Sequence, residues 1–197
     1  MSKLYVALTG GIGSGKSLAA QFLREMNYPV FSCDELYKEV VQSDEYIQKL
    51  KSVFPTAVQN EKVDRKALSK IVFNDEESLK QLNALAHPLI MDLLMQKMKA
   101  CNGDLVFAEV PLLFEGNFEK LFDKVIYIAR DKSQRVQAVL ERDGLSVEDV
   151  EKRIQRQFDG ETIAGQERLK NCNAIVVYNN GDKERLKGKI LEAVSLL

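Results

Sequence analysis

The run Gly10-Gly11-Ile12-Gly13-Ser14-Gly15-Lys16-Ser17 fits the pattern G-x-x-x-x-G-K-[ST]. Each part has a physical task in holding a polyphosphate. Glycines let backbone N–H groups turn inward toward an anion. The start of a following helix adds unpaired N–H groups and the positive end of its dipole. Lys16 suits neutralisation of β- and γ-phosphates, and the Ser17 hydroxyl suits Mg²⁺. A dinucleotide site fits less well, because Gly11-Ile12-Gly13-Ser14-Gly15 lacks the second gap of G-x-G-x-x-G.

Carboxylates and arginines fill out the chemistry. Asp34 follows a short strand pattern, at the edge of a parallel sheet where ligands bind. A carboxylate there can accept or orient the proton of an attacking hydroxyl, or cap a helix beginning at Glu35. Glu109 ends an apolar run and suits a metal-bound water or an acceptor contact. Glu115 follows Pro111-Leu112-Leu113-Phe114, an apolar loop fit either for an acceptor wall or for plain packing. Arg142, Arg153 and Arg156 lie in a charged helical stretch with a turn at Asp143-Gly144. Singly they read as solvated surface residues. Beside a phosphate loop they read as a lid that brings guanidinium groups to a transferring phosphoryl group. Asp64-Arg65 and His87-Pro88 also stand out. His87 is the only histidine, so it fits a capping or hydrogen-bonded structural role, or an acceptor contact.

These residues need elements to carry them. Leu4–Thr9 reads as a strand, and residues 16–26 as a helix with Leu18, Phe22 and Met26 on one face. Residues 29–32 read as a second strand. Residues 34–100 read as mostly helical, with Met91, Leu94, Met95 and Met98 as a core stripe. That is more than a crossover needs, and it implies an inserted helical subdomain. Residues 104–109, 123–129 and 174–178 supply three more strands, and residues 184–197 a closing amphipathic helix.

Composition narrows the classes. The 197 residues suffice for one substantial core. Lys plus Arg number 28 and Asp plus Glu 29, a balance that excludes a uniformly basic nucleic-acid binder. No apolar run approaches the roughly 20 residues that span a bilayer. A strand pattern directly after Met1-Ser2-Lys3 leads us to expect no signal peptide. Cys33, Cys101 and Cys172 are scattered, which points to buried thiols and not to a disulfide framework or a zinc cluster.

The chain also resembles the dephospho-coenzyme A kinases over essentially its whole length. The resemblance rests on the form of the loop, Leu8 to Ser17, and on Cys33-Asp34, Asp64-Arg65 and Val72-Phe73. It continues through Leu82-Asn83-Ala84, His87-Pro88 and Pro111-Leu112-Leu113-Phe114-Glu115. It ends with Arg142-Asp143-Gly144-Leu145-Ser146, Arg153-Ile154, Gln157 and Asn179-Asn180-Gly181. The resemblance implies an α/β P-loop kinase fold with a five-stranded parallel sheet flanked by helices. The nucleotide-binding core would comprise residues 1–33, 101–130 and 165–197. Residues 34–100 would bind the acceptor, and residues 131–164 would form a lid.

The implied reaction transfers the ATP γ-phosphate to the ribose 3′-hydroxyl of dephospho-coenzyme A, with Mg²⁺. Asp34 matches the proposed base, Lys16 and Ser17 the phosphate and metal residues, and Arg142 the lid arginine. Gly11, Ile12, Gly13, Ser14, Gly15, Arg142 and Asn180 would contact ATP. Arg65, His87, Glu109, Leu112, Leu113, Glu115, Arg153 and Gln157, with Asp34, would face the acceptor. Glu109 is a further metal candidate. The expected setting is cytoplasmic, as a monomer or weak homo-oligomer, without nucleic acid or membrane. Several positions depart from the family pattern. Ser32, Glu109 and Asn173 stand where aspartates are common, Ala138 where an arginine is, and Arg135 where a glutamine is. Two rivals share the loop. A nucleoside or nucleoside-monophosphate kinase would not call for the long insertion. A nucleotide switch of the GTPase kind would want N-K-x-D, which the sequence lacks.

Overall fold

A computed structural model describes residues 3–73 and 75–197. Met1 and Ser2, which open the expected core segment, lie outside the described residues. In chain order the first elements are β1 (Leu4–Thr9), α1 (Lys16–Glu25), β2 (Val30–Ser32), α2 (Cys33–Val40) and α3 (Asp44–Val53). Then come β3 (Val58–Gln59), β4 (Lys62–Val63), α4 (Arg65–Phe73), α5 (Glu76–Ala100) and β5 (Leu105–Glu109). The remainder holds β6 (Lys124–Ala129), α6 (Lys132–Asp143), α7 (Val147–Gln155), α8 (Ile163–Asn171), β7 (Ile175–Tyr178) and α9 (Lys183–Ser195). Two compact units result: Met1–Val30 with Cys101–Leu197, and Phe31–Ala100.

The larger unit is built on a parallel sheet of order β2-β5-β1-β6-β7, five strands in all. β1 can be central because its middle residues, Val6, Ala7 and Leu8, are small or aliphatic and are buried on both faces. It pairs with β5 from Leu4↔Leu105 to Leu8↔Glu109, and with β6 from Val6↔Lys124 to Thr9↔Tyr127. Alternation sends Val6, Leu8, Phe107, Ile126, Ile128 and Val177 to one face. There they meet Ala19, Phe22 and Leu23 of α1 and Leu186, Ile190 and Ala193 of α9. The sheet order reverses at β1, and the loop after it lies at the crevice where open α/β sheets bind ligands.

The smaller unit is helical, with α5 packed against α2, α3 and α4. Its long helix buries Leu82, Ala86, Ile90, Met91, Leu94 and Met98. Four sequence expectations change in detail. Within residues 34–100 a short antiparallel hairpin, β3 with β4, interrupts the helices. His87-Pro88 lies inside a helix: α5 runs through Pro88, so His87 does not sit at an end of its own helix. Asp34 is not an N-cap either. α2 begins at Cys33 with Ser32 at the cap position, and Asp34 sits exposed in the first turn. Of the three free cysteines only Cys33 is buried; Cys101 and Cys172 are partly exposed. Among the described residues no helix is long and apolar enough to cross a membrane.

Candidate active site

The loop between β1 and α1 is shaped by its glycines and by side chains from far along the chain. Gly15 caps α1 in the left-handed region, φ 97°, where other residues are strained. A Cβ there would also run into Asn179 Nδ2. The loop carbonyls are taken up one after another. Lys16 Nζ donates to Gly11 O at 3.2 Å, Arg135 Nε to Ile12 O at 3.0 Å and Arg130 Nη1 to Gly13 O at 3.2 Å. Asn179 Nδ2, in a buried position, donates to Ser14 O at 2.8 Å. Tying carbonyls outward leaves the opposite side of a loop to its N–H groups, the arrangement that receives an anion. Within the loop, Ile12 N donates to Gln157 Oε1 at 2.6 Å.

The Ser17 hydroxyl donates to Glu109 Oε1 at 2.7 Å. Glu109 ends β5, beside β1, and is only 7% exposed. A hydroxyl and a carboxylate at this separation form the hard, all-oxygen donor set that Mg²⁺ prefers, with phosphates and water completing the shell. No group of three or more His, Cys, Asp or Glu side chains among the described residues could hold a metal. The donor set therefore fits a Mg²⁺ carried largely by a nucleotide and not a dedicated protein cage.

Behind the loop runs a strap made by residues 157–160. Phe158 stacks on Phe114 with ring centroids 4.0 Å apart, and meets Tyr127 edge-on. Glu115 Oε1 accepts from Phe158 N at 2.8 Å, and Tyr127 Oη accepts from Gly160 N at 3.3 Å. Burial pushes the Tyr127 phenol up, so it stays a neutral donor and acceptor. Leu113 is fully buried and Phe114 2% exposed, while Leu112 is half-buried.

On the other side of the loop lies an open cleft of about 480 Å³. Gly15, Leu18, Arg130, Arg142, Asn179 and Gly181 are among the residues lining it. α6 ends at Asp143, with Gly144 in the left-handed region at φ 63°. Arg142 is exposed and forms a two-pronged pair with Asp143, Nε–Oδ1 2.6 Å and Nη2–Oδ2 2.8 Å. That hydrogen bonding holds the Asp143 carboxyl below the usual range. Arg153, exposed on α7, adds to the same effect. Asn180 braces the start of α6: its Oδ1 accepts from Asp131 N and its Nδ2 donates to Asp131 Oδ1, at 3.1 and 2.9 Å.

The other named residues belong to the helical unit. Arg65 opens α4 and is exposed; the preceding Asp64 accepts from Lys66 N and Ala67 N, both at 3.0 Å. His87 is half-buried in α5, and burial lowers its pKa. Sequence reasoning passed over Arg130, named Asn179 only as part of a turn and gave it no role, and read Arg135 as a departure that could compensate for Ala138 on the same helix face. Asn179 had a signal, since it stands beside the Asn180-Gly181 turn that drew notice. Arg130 had none beyond its place at a strand end.

Comparison with known proteins accords with this geometry. The family model described as dephospho-CoA kinase matches residues 4–184. A curated dephospho-CoA kinase of Thermus thermophilus is 38% identical over 191 residues, covering 97% of this chain and 90% of its own. A crystal structure from the same organism superposes with a TM-score of 0.80 at 37% identity, covering 100% of this chain and 98% of that one. The structure of a dephospho-CoA kinase from Campylobacter jejuni gives 0.66 at 27% identity, with coverage of 99% and 96%.

Proposed function

The chain belongs to the dephospho-CoA kinase family, and from that premise we propose that it moves the ATP γ-phosphate to the ribose 3′-hydroxyl of dephospho-coenzyme A, giving coenzyme A and ADP. The observation that carries this reading is a complete phosphate loop whose Ser17 hydroxyl meets a buried carboxylate, Glu109, at 2.7 Å. In this reading the loop N–H groups and Lys16 bind the β- and γ-phosphates. Ser17 and Glu109 would hold Mg²⁺, which when bound neutralises charge on the phosphate oxygens. Arg142 leaves Asp143 to meet the equatorial oxygens, and Asn180 and the cleft near Gly181 receive the base. Asp34 accepts or orients the proton of the attacking hydroxyl. Arg65, His87, Arg153 and Gln157 contribute to the acceptor side, as do Leu112, Leu113 and Glu115 in the apolar loop.

An ADP-release assay with Mg-ATP tests the reading against dephospho-coenzyme A, AMP, CMP, adenosine and pantetheine phosphate, with products weighed by mass spectrometry. One phosphate gained by dephospho-coenzyme A alone is the expected result. Turnover on a monophosphate alone would replace it with a nucleotide kinase. Asp34→Asn should keep ATP binding and lower kcat by roughly 10²–10⁴-fold. Turnover at the wild-type rate would remove Asp34 from its role.

A further inference from the structure

Arg135 is unusual for an arginine. It is 9% exposed, it pairs with no carboxylate among the described residues, and its Nη2 is buried without a hydrogen-bond partner in the protein. Burying a cation this way is unfavourable unless its surroundings return the energy. Its surroundings are the phosphate loop. Nε donates to Ile12 O at 3.0 Å, and the guanidinium packs closely against Gly11. A Cβ built on Gly11 would lie 2.6 Å from Arg135 Cζ and closer still to Nη2. Its three nearest atoms all belong to Arg135. A Cβ on Gly13 would lie 2.5 Å from Arg135 O and 3.0 Å from its Cα. One residue therefore fills the space that two loop glycines leave open.

The pattern G-x-x-x-x-G-K-[ST] leaves the second position free. Gly11 is also not in the left-handed region, so its backbone does not demand glycine. What demands it is the guanidinium. The side chain cannot swing aside at no cost, because Nε is engaged and the group is enclosed.

We propose that Arg135 is the positioning residue of the phosphate loop, and that Gly11 and Arg135 act as one unit in setting affinity for a nucleoside triphosphate. Holding Ile12 O from behind fixes the peptide planes at the top of the loop. Their N–H groups are then aimed before the nucleotide arrives. The fixed positive charge behind those planes favours an anion in front of them. The inference rests on the loop binding a nucleoside triphosphate, and it does not depend on which acceptor is used.

Titration calorimetry with Mg-ATP on the full chain tests it, with thermal melts beside each titration. Arg135→Ala should weaken Mg-ATP binding by about 10-fold or more, the range for losing a hydrogen bond to a charged group. Gly11→Ala should weaken it by a similar factor. The double variant should bind no more weakly than Arg135→Ala alone, because the methyl group then has room. Arg135→Lys should recover little, since an ammonium lacks the flat fork. Should Arg135→Ala not fold, Arg135→Gln carries the same comparison with and without Gly11→Ala. Wild-type Mg-ATP affinity in the Arg135 variants would overturn the proposal, leaving a stability role only. Additive losses in the double variant would overturn the coupling. Wild-type protein that binds Mg-ATP yet leaves dephospho-coenzyme A unmodified would strike the proposed function and leave this inference standing.

Discussion

The Ser17 hydroxyl and the Glu109 carboxylate, 2.7 Å apart, join the first turn of α1 to the C-terminal end of β5. Each residue comes from an element paired with or packed against β1, so the rigid centre of the sheet fixes their separation. Glu109, one methylene longer than an aspartate, touches Ser17 directly.

Glu109→Gln keeps the shape and removes the charge. Partners of this kind commonly change metal affinity by about 10–100-fold. We expect the Mg²⁺ concentration for half-maximal turnover to rise by a factor in that range, with little change in thermal stability. A Mg²⁺ titration at fixed ATP measures it, and an unchanged midpoint would count against Glu109 as a metal partner.

Phe158→Ala should loosen the strap. The stacked pair with Phe114 contributes about 0.5–1.5 kcal/mol beyond its buried area, and the edge contact with Tyr127 adds to it. Gln157, which accepts from Ile12 N, is held in place by the same contacts. Trypsin should cut after Arg156 several-fold faster in this variant. Equal cleavage rates would mean that the hydrogen bonds from Phe158 N and Gly160 N suffice to hold the strap.

His87 makes stability depend on pH. Burial lowers its pKa below the ordinary 6.5, so the fold favours the neutral ring while the unfolded chain takes up a proton. The stabilisation is complete above about 6.5 and is lost as pH falls through the folded value. Melting temperatures between pH 7.5 and 5.5 should therefore fall less steeply for His87→Gln than for the wild type. Parallel slopes would show that the ring carries no net linkage.

Much of this architecture is legible in the residue order because its signals are local. The loop motif occupies eight consecutive positions, and the strands of the sheet are short apolar runs between turn residues. Asp143-Gly144 marks the end of α6 for the same reason. What stayed hidden depends on distance or on an unusual turn. Asn179 and Ser14 are 165 residues apart, and Arg135 and Ile12 are 123 apart, so no window contains both partners. The β3–β4 hairpin turns on Asn60 and Glu61, at φ 50° and 55°. Such a turn usually advertises itself with glycine, and here it does not. Pro88 has no N–H to offer the helix, yet α5 runs through it, with Ala86, Ile90 and Met91 buried on either side.

The pairing of β1 has a consequence for the order of assembly. Its neighbours are β5 and β6, and Leu4 waits for Leu105. During synthesis from the N-terminus, the central strand of the sheet emerges before either of its neighbours and finds no partner until the whole of Phe31–Ala100 has been made. The interval is an exposed apolar segment followed by the phosphate loop. If the helical unit has closed on itself by then, the free chain left to bridge β1 and β5 is far shorter, and the entropy of bringing them together falls. The insertion thus shortens a connection that it appears, by residue count, to lengthen.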